Sequence, residues 1–312
     1  MGITGASGFL GSALLQHFTA ANSGIGKVYA LNRTLHADHL LDLPVVKWVQ
    51  GDLVSPYDCA SFVEPVDVIV HLAGVNTPLT SDAHLASDAS SNIVPTLTLL
   101  QAIREVGRRP HVIFASSGGA LYRPSSDRRS FRETDPAEPT SSYGIQKLAI
   151  EHYLRVAAEQ GWLTATVLRI GNPYGVLLPP ERRQGFIGVA LNQLLHGRPI
   201  RLFGNEENVR DYVHLDDMCR MFKLAALRAT GFDVYNLGSG LGHSVAQLIE
   251  LLERIIGERI EVVREAPSED AERLPRWVVL DISKAGAEFG WSPGVSLEDG
   301  LRRLCAEHLR VV

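Results

Sequence analysis

The stretch that most narrows what this chain can fold into is Thr4-Gly5-Ala6-Ser7-Gly8-Phe9-Leu10-Gly11. It comes after the short run Met1-Gly2-Ile3 and leads into Ser12 to Ala21, which reads as a helix. A glycine turn between a strand and a helix lets the backbone approach a pyrophosphate, and the helix N-terminus adds free N–H groups and a positive dipole end. The glycines are spaced G-x-x-G-x-x-G, a variant of the G-x-G-x-x-G device. The turn is therefore a candidate dinucleotide site. Because the strand before it is so short, the native start is expected a few residues upstream, which N-terminal peptide mass spectrometry reads directly.

Past this turn and its helix, strands and helices alternate along the chain. Lys27 to Leu31 reads as a second strand ending at Asn32-Arg33, Val45 to Val49 as a third running into Gly51-Asp52-Leu53, and Val66 to Leu72 as a fourth ending His71-Leu72-Ala73-Gly74. An acid at the second strand end would bond the adenosine ribose and favour NAD, whereas an Arg accommodates the extra phosphate of NADP. Asn32-Arg33 leaves that choice open. Ser81 to Val106 carries apolar residues at helical spacing, His111 to Ser116 is a fifth strand leading to Ser117, and Arg123 to Thr140 is a loop rich in Pro, Ser and charge. The alternation predicts an α/β fold, a doubly wound parallel sheet with right-handed crossovers. Trp162 to Arg169 is a further strand and Asn172 to Gly175 a turn. Beyond it, shorter helices (Gly188 to Leu195, Ser244 to Ile256, Leu297 to His308) and short strands (Ile200 to Phe203, Val234 to Leu237, Ile260 to Arg264) read as a second, smaller α/β domain. The expected division is 1–172 and 173–312, with parts of 209–240 packing back on the first domain.

Within the helix read at Ser141 to Glu159, Tyr143 and Lys147 stand four residues apart on one face. An ammonium held beside a phenol favours the phenolate. Bringing a phenol from about 10 to near 7 takes roughly 4 kcal/mol, which one cation and a positive cofactor ring can supply together. Tyr143 is thus a candidate acid/base. Ser117, at a strand end facing the ligand crevice, can bond a substrate oxygen.

Composition removes other classes. A net charge of -5 gives no basic field for nucleic acid or an anionic membrane surface. The three cysteines, Cys59, Cys219 and Cys305, are too few and scattered for a disulfide framework, so a reducing cytoplasm is the expected compartment. Neither a signal peptide nor a membrane span is expected. No metal site is expected either: His36 and His39 have loose metal-like spacing but no companion ligands, and read as loop histidines.

Taken together, these residues resemble the extended short-chain dehydrogenase/reductase family, in its nucleotide-sugar epimerase/dehydratase branch. The resemblance rests on Thr4 through Gly11, His71-Leu72-Ala73, Ser116-Ser117-Gly118-Gly119, Tyr143-x-x-x-Lys147 and Arg169 through Gly175, and continues through Asn208 to Asp217, Tyr235 to Gly240 and Leu280 to Lys284. It implies a Rossmann domain binding NAD through Gly5, Ser7, Gly8, Phe9, Leu10, Asn32, Arg33, Asp52, Leu53, Leu72, Ala73, Gly74, Asn92, Ala115, Asn172 and Pro173, together with Tyr143 and Lys147. NADP stays possible because of Asn32-Arg33. It implies that Tyr143 is the acid/base, that Lys147 bonds the nicotinamide ribose and lowers the Tyr pKa, and that Ser117 holds the reacting sugar oxygen. Asn172 would reach the substrate phosphates, Phe203 would wall the nucleobase pocket, and Arg210 would clamp the diphosphate, where guanidinium geometry suits bidentate binding. Arg273 and Arg276 lie near the position of a second phosphate-binding Arg, though Asp270 falls closest to it.

Dehydratases of the family place an Asp-Glu pair after the catalytic hydroxyl, and here Gly118 and Gly119 stand there. The pattern most resembles UDP-glucose 4-epimerase-like enzymes, implying transient oxidation at C4 with bound NAD, a 4-keto intermediate and hydride return to the opposite face. The alternatives are an NADP-dependent reductase of a 4-keto nucleotide sugar and a non-catalytic dinucleotide sensor. Arg123, where the family usually has Gly, is a departure on the substrate side. A UDP-sugar or related nucleotide sugar is the implied partner, with a homodimer through the helices at Ser81 to Val106 and Ser141 to Glu159.

Overall fold

A computed structural model of the chain describes residues 1–20, 24–35, 43–74, 85–123, 127–179, 185–228, 231–265 and 275–309. The elements in chain order begin β1 (Gly2–Thr4), α1 (Phe9–Thr19), β2 (Val28–Asn32), β3 (Val46–Gln50), α2 (Pro56–Val63), β4 (Val68–His71), α3 (Leu85–Val106), β5 (His111–Ser117), α4 (Gly118–Leu121), α5 (Ser142–Glu159) and β6 (Thr164–Ile170). They continue with β7 (Asn172–Tyr174), α6 (Phe186–Leu195), β8 (Ile200–Phe203), β9 (Val209–His214), α7 (Leu215–Leu227), β10 (Phe232–Leu237), β11 (Gly242–Ser244) and α8 (Val245–Ile256). The last are β12 (Val262–Glu265), β13 (Trp277–Val278), α9 (Ser283–Phe289) and α10 (Leu297–His308).

The main sheet runs β10-β6-β5-β4-β1-β2-β3. Its pairs β1 with β2, β1 with β4, β2 with β3 and β4 with β5 are parallel. Runs such as Val68-Ile69-Val70 and Val112-Ile113-Phe114 are apolar on both faces, as a sheet covered on both sides requires. The chain order reverses between β1 and β4, and a sheet of this kind binds ligands outside the carboxyl ends of its strands at such a point. Thr4 on β1 pairs with His71 on β4, so those two ends lie side by side. This is the Rossmann-type α/β architecture expected.

The chain divides into two units, 1–117 with 141–169 and 219–235, and 118–140 with 170–218 and 236–312. In the first, Phe62, Leu99, Ile103, Phe114 and Leu154 fill a core between the sheet, α2, α3 and α5. In the second, β9 pairs with β7, β11 and β13, and β12 pairs with β8. There Tyr174, Leu191, Leu252 and Leu304 make the core. Within that unit the carboxylate of Asp211 accepts from the Ser239 N–H and hydroxyl through Oδ1, and from the Gly240 and Leu280 N–H groups at 3.1 Å through Oδ2.

Two readings need correction. Asn172 to Gly175 is not simply a turn: residues 172–174 are β7, which pairs along one side with β9, an arrangement that accommodates the missing N–H of Pro173. The helices α2, α4, α7 and α9 and the strands β9, β11 and β13 are not picked out as elements by the sequence reading. α2 is only eight residues long, although its start was signalled by Pro56 behind Ser55, whose hydroxyl accepts from the Asp58 N–H at 3.2 Å. The long helix is described from Leu85, and residues 81–84 lie outside the described set, as do His36 and His39. No described helix is long and apolar enough to cross a membrane.

Candidate active site

The turn after β1 is shaped by what a side chain would hit. Gly5 takes a positive φ of 68°, and a Cβ there would meet the Ala73 backbone nitrogen at 2.9 Å. A Cβ on Gly11 would run into the carbonyl oxygens of Gly5 and Ala6. Gly8 donates its N–H to the Gly5 carbonyl at 3.1 Å and begins α1 in an extended conformation, with no side chain capping the helix. Ser7 is exposed, and Phe9 and Leu10 are half-buried beside it. The result is a backbone-lined cradle at a helix N-terminus, which fits a dinucleotide pyrophosphate.

Behind the cradle runs a chain of hydrogen bonds that orients both strand ends. The Thr4 hydroxyl oxygen accepts from the Leu72 and Ala73 N–H groups at 3.2 Å each, so its proton points to His71 Nδ1, 2.8 Å away. That makes Nε2 the protonated ring nitrogen, donating to Thr96 Oγ1 at 3.0 Å, and the Thr96 hydroxyl donates in turn to the Asn92 carbonyl. Burial, aided by the Lys147 charge, pushes His71 down to about 3. His111, between the Thr164 and Thr166 hydroxyls, is pushed down to about 4 by burial. Both rings are neutral in the fold and bind protons more readily when unfolded. Their stabilisation is whole above about pH 6.5 and is lost as pH falls toward those folded values. Urea midpoints are expected to drop between about pH 7 and about pH 5; a flat profile there would overturn the assignment.

The remaining strand ends hold the other expected cofactor residues. Asn32 closes β2 and is half-buried, and Arg33 beside it is exposed. Asp52 turns its own Oδ1 onto the Val54 N–H at 3.1 Å, and Leu53 is buried. Gly74 is exposed, with Asn92 Oδ1 lying 3.3 Å from where its Cβ would be. Asn92 donates to Gln146 Oε1 at 2.9 Å, tying α3 to α5.

Helix α5 starts where Ser141 caps it, the hydroxyl accepting from the Gly144 N–H at 3.2 Å. The cap fixes the helix two residues before Tyr143 and thereby aims Tyr143 and Lys147. The Ser117 hydroxyl is hydrogen-bonded to the Tyr143 phenol. Lys147 Nζ donates to the Ala115 carbonyl at 2.8 Å and stands 5.7 Å from the centre of the Tyr143 ring. The expected trio is thus brought together. Its electrostatics differ from expectation: burial pushes the Tyr143 phenol up to about 12, with the Ser117 bond pulling the other way, and burial lowers Lys147 to about 8. Desolvation penalises the phenolate more than the protein's own charges favour it. A tuned phenol therefore needs further positive charge beyond Lys147.

Two residues beneath this trio escaped the sequence reading as a pair. Glu151 and Arg169, both buried, form an ion pair of 2.7 Å. The four-residue rhythm Tyr143, Lys147, Glu151 was the available signal.

In the second unit, Asn172 and Pro173 lie on β7, with Asn172 Nδ2 donating to the Asp211 carbonyl at 3.3 Å. Arg210 on β9 donates to the Val209 carbonyl at 2.8 Å, and burial lowers its guanidinium from the usual range. Phe203 is exposed at the end of β8, with the Arg201 guanidinium 5.7 Å from its ring centre. Arg273 lies outside the described residues.

Residues 1–238 match the family described as the NAD dependent epimerase/dehydratase family. The chain belongs to that family. Membership makes NAD its cofactor, and the glycine cradle fits it. The chain is 32% identical to the dTDP-4-dehydro-6-deoxyglucose reductase of Escherichia coli over 240 residues, 77% of this chain and 74% of that one. Two solved structures of similar fold are UDP-glucose 4-epimerases. The one from Thermotoga maritima, with UDP-glucose, has a TM-score of 0.87 and 32% identity over 99% of each chain. The one from Thermus thermophilus, with NAD, has a TM-score of 0.87 and 28% identity, covering 100% of this chain and 99% of that one.

Proposed function

We propose that this family member is a nucleotide-sugar 4-epimerase of the UDP-hexose type, inverting C4 through a transient 4-keto sugar. The observation that carries the reading is the Ser117, Tyr143 and Lys147 trio followed directly by Gly118 and Gly119, which open α4 with no carboxylate. Elimination or decarboxylation asks for a second acid at that place. The UDP-glucose bound by the Thermotoga maritima relative supports the substrate class. NAD, when bound, supplies reversible hydride exchange and a positive ring. Tyr143 takes the C4 hydroxyl proton and returns it, Ser117 holds the reacting oxygen, and Lys147, tethered at the Ala115 carbonyl, stabilises the phenolate and bonds the ribose. Arg210 is the proposed diphosphate contact. Asn172 and Phe203 are proposed for the phosphate and nucleobase. A homodimer is part of the same proposal, supported by exposed Val94 on α3 and Ile145, Tyr153 and Val156 on α5. So is a reducing cytoplasm, which three free, buried thiols suit.

The test is proton NMR of the as-purified protein with UDP-glucose, UDP-N-acetylglucosamine and UDP-glucuronate separately, with no cofactor added. A new anomeric signal from the C4 epimer is the expected result and names the sugar. Light scattering on the same sample reads the dimer, and monomer at micromolar concentration removes it. A second reading, an NADP-dependent reductase of a 4-keto nucleotide sugar, is favoured by exposed Arg33 at the end of β2 and by the Escherichia coli reductase. Silence in all three tubes, with NADPH consumed on a 4-keto nucleotide sugar, selects it.

A further inference from the structure

The ionic pair beneath Tyr143 and Lys147 takes no part in the chemistry above. Glu151 is 3% exposed and Arg169 6%. Arg169 Nη2 donates to Glu151 Oε2 at 2.7 Å and Nε donates to both carboxylate oxygens at 3.2 Å. The Ser116 hydroxyl donates to Oε1 at 2.5 Å. Three elements meet there: α5, β5 and β6. A buried pair of this kind contributes little net stability compared with apolar residues of the same volume. Its position suggests a different use. Glu151 follows Lys147 on α5 by the interval at which Lys147 follows Tyr143, so the three side chains form one stripe along the helix. Ser116 adjoins Ser117, so the cluster also pins the strand end that carries the hydroxyl.

Among the described residues, the following groups surround Lys147. Tyr143, on its own helix, is a neutral phenol, and His71 on β4 is a neutral imidazole whose protonation Lys147 opposes. On β5 the Ala115 carbonyl accepts from Nζ, and the Phe114 ring centre is 4.7 Å away. Burial works against the ammonium, and Glu151 is the anion that opposes this. Arg169 on β6 holds that anion.

We propose that Glu151 is a positioning residue that keeps Lys147 an ammonium beside Tyr143, with Arg169 setting how much of the carboxylate's charge Lys147 feels. Its part in turnover rests on the epimerase reading, but the charge coupling is readable without substrate. The experiment is an NMR pH titration of protein labelled with carbon-13 lysine, the Lys147 signal being assigned by its loss in Lys147→Arg. Glu151→Gln leaves Arg169 uncompensated and lowers the Lys147 midpoint by about one unit or more. Arg169→Gln frees the carboxylate and raises it by about as much. Both substitutions break the same ion pair, so a purely structural role moves the two midpoints alike or not at all. Either of those results overturns the proposal. The basic limb of the kcat/KM profile for the epimerised sugar moves with each midpoint; a midpoint that shifts while the limb stays also overturns it. A protein with no epimerase turnover sinks the functional reading alone, because the lysine titration still reports the coupling. Should Glu151→Gln not fold by circular dichroism, the sign of the Arg169→Gln shift decides.

Discussion

On the epimerase reading proposed above, Tyr143→Phe is expected to keep the fold and the dinucleotide and to lose turnover by about a hundred- to ten-thousand-fold, the range a positioned acid/base contributes. The substitution removes one oxygen and with it the bond to Ser117, leaving the ring in its place against Lys147. The bonds given for the glycine cradle run through Gly5, Gly8 and Ser12 and do not involve the phenol. Two measurements separate the effects: the rate of C4 epimer formation, and the NAD released on denaturing the purified variant. Turnover at the parent's rate would sink the catalytic assignment, whereas loss of both activity and NAD would show that Tyr143 is needed for cofactor retention too.

Gly11→Ala has the second large effect, and its sign is a contest between two known terms. Gly11 is inside helix α1, where alanine is favoured over glycine by about 1 kcal/mol of intrinsic propensity. The added Cβ would press on the carbonyl oxygens of Gly5 and Ala6. Those are backbone atoms of the cradle itself and cannot swing aside as a side chain can. Overpacking costs about 1–3 kcal/mol and forces the helix away from the turn, so destabilisation wins. Thermal unfolding is expected at a lower temperature, with NAD retention at least about tenfold weaker because the helix N-terminus is displaced from the pyrophosphate. A variant that melts higher and keeps its NAD would refute the close-packing account.

Much of this was legible in the residues. The glycine spacing, the alternation of strands with helices, and the four-residue interval of Tyr143 and Lys147 are local patterns, each expressing a constraint that acts over one turn or one strand. Such constraints survive in sequence because backbone geometry alone imposes them. They were enough for the α/β class, the glycine turn between β1 and α1 and the succession of strands along the chain as far as β6, but not for the order of those strands in the sheet. They also pointed to Ser117 as a hydroxyl at a strand end facing the ligand crevice, and its bond to Tyr143 came only with the fold.

What the linear order did not carry is the set of relations between segments far apart. That Thr4 bonds His71, which in turn bonds Thr96, joins residues 67 and 25 positions apart, and it emerges only when β1, β4 and α3 are packed together. β9 illustrates the same point: it is partner to β7, β11 and β13, and its Asp211 anchors Ser239, Gly240 and the bridge residue Leu280, which lie 28 to 69 residues further on. Burial is likewise a property of the packed molecule. The spacing of Lys147 and Tyr143 promised a lowered phenol pKa, and the fold instead pushed it up to about 12. The spacing determines which charges are neighbours, whereas tertiary packing decides how much water they keep, and for this phenol the loss of water is the larger energy.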